Sequence, residues 1–290
     1  MAETIQIDGP SGPLSAEMLA VDNAEHAVVI IPGSGPIDRD GSASQNYKML
    51  AEDLAMEGVA SLRIDKRGMF GSTKAIPDPN DVTIADYAQD VRGWVNRAAS
   101  LAPCVWIAGH SEGGLVALVA ATMPPDRLCG LILLAAPGRP LGQIVREQLK
   151  SNPANAALLP GIDEVITELE AGRQRDLASI SPVLHVLFNA AIQPYWIDLF
   201  SHDPAMIASQ WKGPALVVQG DADIQIKRLD AELLATGLPN GKLVNLSGAT
   251  HTLKVDVPQE PLVTYTDPTL PLHPELVPEI MKFFDLNQPQ

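Results

Sequence analysis

Short aliphatic runs recur along the chain, and each is bounded by Gly, Pro or Asp. Runs of this kind are typical of strands that are buried on both faces of a sheet. Five of them are predicted to be central strands: 27–31, 60–64, 105–108, 131–135 and 215–219. A sixth run, 242–246, is predicted to lie nearer an edge, and segments 4–7 and 15–21 alternate in polarity as an antiparallel hairpin does.

Helical patterns separate these predicted strands at 44–56, 82–99 and 115–121. The alternation of strand and helix predicts an α/β fold with a mostly parallel central sheet, flanked by helices and connected by right-handed crossovers. The chain has 290 residues, 46% of them hydrophobic. It can therefore bury a large core without the help of disulfides or metal ions.

The alternation stops in residues 137–211, where short amphipathic helical patterns are separated by prolines. An insertion in a parallel sheet leaves from the carboxyl end of a strand, which is the edge where ligands bind. We therefore predict a core of residues 1–136 and 212–290, with residues 137–211 as a helical cap. Apolar side chains of the cap, among them Phe188 and Trp196, would make the substrate pocket apolar. The alternatives are helices packed on the side of the sheet, and side chains that form only the cap's own core.

The formal net charge of −15 excludes some classes of partner. Such a surface repels nucleic-acid phosphates and anionic membranes, so neither is predicted to bind. No apolar stretch approaches the roughly 20 residues of a membrane span, and the first residues do not resemble a signal peptide. A cytoplasmic location is predicted, unless a leader has been removed. Cys104 and Cys129 lack C-x-x-C spacing and are expected to be buried thiols.

The strongest chemical signal is Gly109-His110-Ser111-Glu112-Gly113, a G-x-S-x-G pattern. Alone the pattern is weak, and a chance Gly–Ser turn is the alternative. Here, however, it directly follows a predicted strand and precedes a predicted helix. A serine on such a turn must take a strained conformation, which Gly109 and Gly113 permit because they lack side chains. We therefore predict that Ser111 is a nucleophile.

The chain resembles the α/β-hydrolase family across nearly its whole length, and in particular its bacterial carboxylesterase and serine-peptidase-like branch. In this family the nucleophilic serine is followed along the chain by an acid and then by a histidine. Residues 220–223 (GDAD) resemble the family's G-x-x-D turn, so the resemblance assigns the acid to Asp223, with Asp221 as the alternative. Residues 248–251 (GATH) resemble its G-x-x-H loop and assign the general base to His251.

The resemblance also implies an oxyanion hole, in which backbone N–H groups stabilise negative charge on the substrate oxygen. One donor would be Glu112, the residue after the nucleophile. The other would be Ser34, because residues 32–35 (PGSG) take the place of the family's H-G-x-G segment. Gly33 and Gly35 would let this backbone approach a ligand. Proline replaces the usual histidine of the segment, which removes one support of the loop.

Two further segments resemble the family without suggesting catalysis. Residues 38–40 (DRD) are predicted to brace the preceding loop by ion pairing, with substrate contact by Arg39 as the alternative. Residues 65–72 (DKRGMFGS) resemble a D-x-R-G-x-G-x-S turn whose usual task is structural. The sequence contains neither the G-K-[ST] ending of a phosphate loop nor a cluster of metal ligands, so no cofactor and no metal are predicted.

Together these residues predict a serine hydrolase that cleaves small carboxylic esters through an acyl-enzyme, using a Ser-His-Asp triad. A serine peptidase or amidase is the first alternative, because its triad would be identical. A non-catalytic binding module is the second, and the intact triad argues against it. The predicted partner is therefore a small-molecule ester. The oligomeric state is left open, with a homodimer as one possibility.

Overall fold

The computed structural model describes residues 2–287, so residues 1 and 288–290 of the predicted core lie outside the described part. The strands of its eight-stranded sheet are β1 (Ala2–Asp8), β2 (Pro13–Leu19), β3 (His26–Ile31), β4 (Ala60–Ile64), β5 (Cys104–His110), β6 (Leu128–Leu134), β7 (Ala215–Gly220) and β8 (Gly241–Leu246). Their order in space is β1-β2-β4-β3-β5-β6-β7-β8. The hairpin β1–β2 pairs antiparallel to β4, and the strands from β3 to β8 pair in parallel. The predicted opening hairpin and mostly parallel sheet are confirmed.

Helices connect and flank these strands. Their bounds are α1 (Asn46–Met56), α2 (Ile84–Ala98), α3 (Glu112–Ala121), α4 (Leu141–Ser151), α5 (Leu159–Glu170), α6 (His185–Phe188), α7 (Gln193–Phe200), α8 (Pro204–Ala208), α9 (Arg228–Gly237) and α10 (Leu276–Leu286). Across residues 2–287, no helix combines the length and the apolar character that crossing a bilayer requires.

Both faces of the central strands are buried, because successive side chains of a strand point to opposite sides of the sheet. In β3, Ala27, Val29 and Ile31 pack into one hydrophobic cluster, and Val28 and Ile30 pack into another. Full burial of an aliphatic side chain of this size contributes about 1.5–3 kcal/mol. This double burial is the reason that the central strands read as continuous apolar runs.

The helix after the predicted nucleophile begins earlier than expected. The pattern predicted a start at Leu115, whereas α3 begins at Glu112 and includes Gly113 and Gly114. Glycine lowers helix propensity, but here it allows close packing: a side chain at Gly113 would come within 2.6 Å of the Ile31 carbonyl oxygen. Tertiary packing therefore overrides the local propensity on which the predicted boundary rested.

The expectation of two buried thiols is wrong, because Cys104 and Cys129 form a disulfide. They lie on the neighbouring strands β5 and β6, with Cα atoms 5.6 Å apart, within the usual range for a disulfide. The register between these strands shifts next to Val105, and Cys129 lies at the shift, between Leu128 and Gly130. Disulfides persist mainly in oxidising compartments, so this bond is a reason against the predicted cytoplasmic location, which stays a prediction.

Residues 137–211, all of them described, contain α4 to α8 and no strand. Helices α4, α5 and α7 pack on one another. From this group, Leu141, Ile144 and Trp196 line a cavity at the carboxyl edge of the sheet. Helix α8 instead packs against α3 and α9, beside the sheet. Helices α4, α5 and α7 thus lie at the cavity and α8 lies beside the sheet, while a cap over the site stays a prediction.

Candidate active site

The predicted site residues lie in loops at one edge of the sheet. Ser34 follows β3, Ser111 follows β5, Asp223 follows β7 and His251 follows β8. Because these strands are parallel, the loops after them meet at the carboxyl edge. A cavity of about 360 Å³ opens there, and Ser34, Ser111, Glu112 and His251 line it. Asp223 lies behind His251 and is buried.

Ser111 has a strained backbone, with φ of 52° and ψ of −124°. Such a conformation costs a residue with a side chain about 1–3 kcal/mol. The Ser111 N–H donates to the Leu134 carbonyl at 2.9 Å, and the Gly114 N–H donates to the Ser111 carbonyl at 2.8 Å. A side chain at Gly109 would overlap with the Gly113 carbonyl. The glycine positions of the sequence pattern are therefore explained by the space that this turn leaves.

His251 and Asp223 form a buried pair, with His251 Nδ1 2.8 Å from Asp223 Oδ2. Asp223 Oδ1 accepts the backbone N–H groups of Gln225 at 2.7 Å and Ile226 at 3.0 Å. Burial raises the pKa of Asp223, but His251 and these amides together outweigh burial and hold that pKa below its usual value. The carboxylate is therefore ionised and accepts the Nδ1 proton of His251, which leaves Nε2 as the acceptor of a neutral ring.

Asp221, the alternative acid, has a different contact set. Its exposed carboxylate accepts the Gly248 N–H at 2.5 Å and the Ser247 hydroxyl at 3.1 Å. The hydrogen bond from Gly248 is the main reason that the pKa of Asp221 is lowered. Asp221 thus braces the loop that leads to His251, while Asp223 contacts the imidazole itself.

The two predicted oxyanion donors lie beside the serine. A side chain at Gly33 would approach Ser111 Cβ to 3.3 Å, so the loop after β3 packs directly on the turn. Glu112 is the first residue of α3, and its N–H therefore has no acceptor within the helix. Within residues 2–287, the Ser34 N–H has no hydrogen-bond acceptor either. Both amides belong to residues that line the cavity with Ser111.

His110, to which the sequence assigned no role, connects three parts of the site. Burial and the nearby His251 lower the pKa of His110 to about 3, so its ring is neutral. Its Nε2 lies 2.7 Å from the His251 carbonyl, which can only accept, so Nε2 carries the proton. Nδ1 must then accept from the Tyr47 hydroxyl at 2.7 Å, and the Tyr47 oxygen accepts the Gly33 N–H at 3.0 Å. The sequence gives one sign of this network: the polar residue His110 ends the otherwise apolar strand β5.

The contacts of residues 38–40 favour bracing over substrate contact. The Arg39 Nε donates to Asp65 Oδ2 at 2.9 Å, and the Arg39 backbone N–H donates to Asp65 Oδ1 at 3.0 Å. Asp40 accepts the Arg63 Nε at 2.9 Å. Both carboxylates thereby tie the loop after β3 to β4 and the turn that follows it.

A second cavity, of about 300 Å³, adjoins the first and shares Ser34, Glu112 and Trp196 with it. Its other apolar and aromatic walls are Met69, Pro79, Val82, Tyr87, Val186, Leu187, Ile192 and Tyr195. Phe188, by contrast, is fully buried in the hydrophobic core. In the described part of the chain, no three His, Cys, Asp or Glu side chains are grouped so that they could hold a metal ion.

Comparison with known proteins adds a family and a relative. The model of the family described as serine aminopeptidase, S33, matches residues 22–201, which is more than half of the chain. Esterase EstD of Thermotoga maritima is 27% identical over 237 residues, which cover 78% of this chain and 54% of EstD. The chain thus spans about half the length of this curated relative.

Solved structures agree with the architecture. Est1E from Butyrivibrio proteoclasticus, with ferulic acid bound, has a TM-score of 0.63 at 20% identity, over 98% of each chain. The alpha/beta hydrolase GrgF from Penicillium sp. sh18 has a TM-score of 0.66 at 16% identity, over 99% of each chain. At these identities the likeness concerns the fold, and it confirms the predicted α/β-hydrolase fold. Since the family model matches more than half of its length, the chain belongs to the family described as serine aminopeptidase, S33.

Proposed function

We propose that this protein is a serine hydrolase that cleaves small neutral carboxylic esters through an acyl-enzyme, with Ser111, His251 and Asp223 as its triad. The observation that carries the proposal is the strained Ser111 in one cavity with His251, whose Nδ1 is 2.8 Å from the buried Asp223. The similarity to an esterase supports the same class of reaction.

In the first half of the proposed reaction, Ser111 Oγ attacks the ester carbonyl carbon while His251 Nε2 accepts the hydroxyl proton. Asp223 holds the Nδ1 proton and stabilises the imidazolium that forms. The negative oxygen of the tetrahedral intermediate receives hydrogen bonds from the N–H groups of Ser34 and Glu112. His251 then gives its proton to the alcohol oxygen as the C–O bond breaks, which leaves Ser111 acylated.

In the second half, water takes the place of the alcohol. His251 Nε2 accepts a proton from the water, whose oxygen attacks the acyl carbon. When the intermediate collapses, the bond to Ser111 Oγ breaks and His251 returns the proton to that oxygen. A carboxylic acid leaves, and the starting state of the triad is restored.

The charges on the cavity walls favour an ester over the amino terminus of a peptide. An aminopeptidase has to bind the ammonium group of its substrate, for which a facing carboxylate is the natural partner. In the described part of the chain, Glu112 is the one acid that lines either cavity, and its carboxylate is 3.2 Å from Lys66 Nζ. A buried ammonium group would have no free partner there, which costs several kcal/mol.

We therefore expect nitrophenyl esters to be cleaved with a kcat/KM about a hundredfold or more above that of aminoacyl nitroanilides, as an unpaired buried charge implies. Both substrate sets are measured side by side on the wild-type protein. A fluorophosphonate probe, followed by mass spectrometry of the peptides, is expected to label Ser111. Faster cleavage of the anilides would assign a peptidase instead. A protein that neither cleaves nor is labelled would be a binding module.

We further propose that residues 137–211 cap the site and that the acyl chain extends past Glu112 into the second cavity. The alcohol oxygen must lie near His251 to receive its proton, and His251 lines the first cavity. Trp196 lies on the walls of both cavities, and its Nε1 donates to the Leu187 carbonyl at 2.7 Å, which fixes the indole. Trp196 therefore separates the two cavities, and in this proposal its side chain selects the acyl group.

Replacement of Trp196 by alanine is expected to flatten the dependence of kcat/KM on acyl length from acetate to decanoate. In the wild type, each methylene that fits should add no more than about 1–3 kcal/mol. The variant should lose about tenfold on the best wild-type ester, because a missing wall contact is of that order. Val183→Ala is the matched control, since Val183 is 66% exposed. An unchanged profile in a folded Trp196→Ala protein would show that the cap does not select the acyl group.

A further inference from the structure

Lys66 and Glu112 form a buried ion pair beside the proposed oxyanion hole. Lys66 is 3% exposed and Glu112 is 2% exposed. Lys66 Nζ donates to Glu112 Oε1 at 3.2 Å and to the Gly33 carbonyl oxygen at 2.7 Å. The ammonium group also lies 5.4 Å from the centre of the Tyr87 ring. Lys66 lies in the turn after β4, a loop that carries none of the proposed triad residues or oxyanion donors.

Stability alone does not account for this pair. Removing two charges from water carries a desolvation cost that their mutual attraction often only balances, and apolar replacements of similar size are often neutral or stabilising. A buried pair at the wall of a cavity therefore calls for a second reason. Its position relative to the two predicted oxyanion donors supplies one.

The pair touches both donors. The carbonyl of Gly33 and the N–H of Ser34 belong to one peptide unit, so the bond from Lys66 fixes the plane in which that N–H points. The other partner, Glu112, carries the second donor on its own backbone. The Gly33 N–H is meanwhile held by Tyr47 at 3.0 Å. The loop is therefore anchored on both peptide units that flank Gly33.

The charge of Lys66 changes the donor strength of the peptide unit that it contacts at Gly33. A cation on a carbonyl oxygen withdraws electron density from the amide, and hydrogen bonds in such a chain strengthen one another. The Ser34 N–H thus becomes a stronger donor. Lys66 also neutralises the Glu112 carboxylate, which would otherwise place a negative charge beside the oxygen that becomes negative during the reaction.

We propose that Lys66 is a positioning residue for the oxyanion hole: through Gly33 it orients and polarises the Ser34 N–H, and through Glu112 it cancels an opposing charge. This inference rests on the proposed ester hydrolysis. Lys66 acts through the peptide unit that joins Gly33 to Ser34, and it has no contact with the reacting atoms.

The test compares Lys66→Met with the double variant Lys66→Met/Glu112→Leu. The single variant leaves Glu112 unpaired and is expected to lose about a hundredfold in kcat, approaching the loss of a whole oxyanion donor. The double variant removes both charges and should fold, since apolar replacement of a buried pair is tolerated. It should still lose about tenfold in kcat, because the Ser34 N–H is no longer oriented. Because Lys66 and Glu112 line the second cavity, the measurement uses nitrophenyl acetate, whose acyl group is too short to extend into it, and KM for this ester should change little in both variants.

A readout that separates positioning from general damage is the affinity for an alkyl trifluoromethyl ketone, which forms a tetrahedral adduct with the nucleophile. Its inhibition constant should rise in parallel with the loss of kcat, whereas inhibition by the uncharged product alcohol, which is placed near His251, should not. Arg67→Met is the matched control. Arg67 lies in the same turn as Lys66 and also forms a buried ion pair, with Asp90 at 2.6 Å. This control should lose thermal stability but keep the wild-type ketone affinity and kcat.

The outcomes are distinguishable. If a folded double variant keeps the wild-type kcat and ketone affinity, the inference is overturned while ester hydrolysis stands. If Arg67→Met reproduces the losses, Lys66 supports the turn in general and the inference is again overturned. A wild-type protein that cleaves no ester and binds no ketone overturns the proposed function and this inference with it.

Discussion

A Ser111→Ala variant is expected to lose about a millionfold in turnover on nitrophenyl esters while keeping the fold of the parent protein. Ser111 Oγ is the proposed attacking atom, and alanine offers no nucleophile in its place. The remaining machinery, His251 and the two backbone donors, can still bind substrate but cannot form an acyl-enzyme. Because alanine meets the same backbone strain at a φ of 52°, the change in stability should be small.

The measurement is a kcat determined at high enzyme concentration, with thermal unfolding recorded in parallel. Ser34→Ala is the matched control, because Ser34 is proposed to act through its backbone N–H, which alanine retains. That control should stay within a few-fold of the wild type. A Ser111→Ala protein that keeps a tenth of the wild-type turnover would remove Ser111 from the proposed mechanism.

The strands and the turn around Ser111 could be predicted because both depend on local features, whereas the assignment of Asp223 and His251 came from the resemblance to the family. Double burial turns a strand such as β3 into an unbroken apolar run, and parallel pairing brings the loop after each run to one edge. The turn around Ser111 has a glycine requirement that is visible in five residues. Structural requirements that lie within one short segment can therefore be predicted without the tertiary structure.

The rest depends on contacts between segments that are distant in the chain. Tyr47 and His110 are 63 residues apart, and their hydrogen bond joins α1 to the last residue of β5. Cys104 and Cys129 meet because β5 and β6 are neighbours in the sheet, which the spacing of the two cysteines along the chain does not show. Lys66 lies in a turn whose usual task is structural. Its proposed role follows from the contacts of its ammonium group with Gly33 and Glu112, which come from other loops. Sequence patterns carry no information on such partners.

The choice between the two acids gives the second large effect: Asp223→Asn is expected to lower kcat about ten-thousandfold, the loss seen when a tautomer-setting Asp becomes Asn. Both oxygens of Asp223 face donors: Oδ1 accepts the N–H groups of Gln225 and Ile226, and Oδ2 accepts the His251 Nδ1–H and, at 3.2 Å, the Gln219 side-chain amide. An asparagine that keeps its oxygen on the two amides turns its NH₂ towards His251. Nδ1 must then accept, which moves the ring proton to Nε2, the atom that has to receive the proton of Ser111.

Asp221→Asn is the matched control for this substitution, and it should stay within about tenfold of the wild type, because an amide oxygen can still accept the Gly248 N–H. The kcat of both variants is measured at the same pH and on the same nitrophenyl ester. Both variants remove one negative charge from the same turn, so the ratio of the two losses reports what the direct contact with His251 adds, namely the tautomer and the stabilisation of the imidazolium. A larger loss in Asp221→Asn than in Asp223→Asn would mean that the 2.8 Å contact between Asp223 and His251 is not the one that orients the base during turnover.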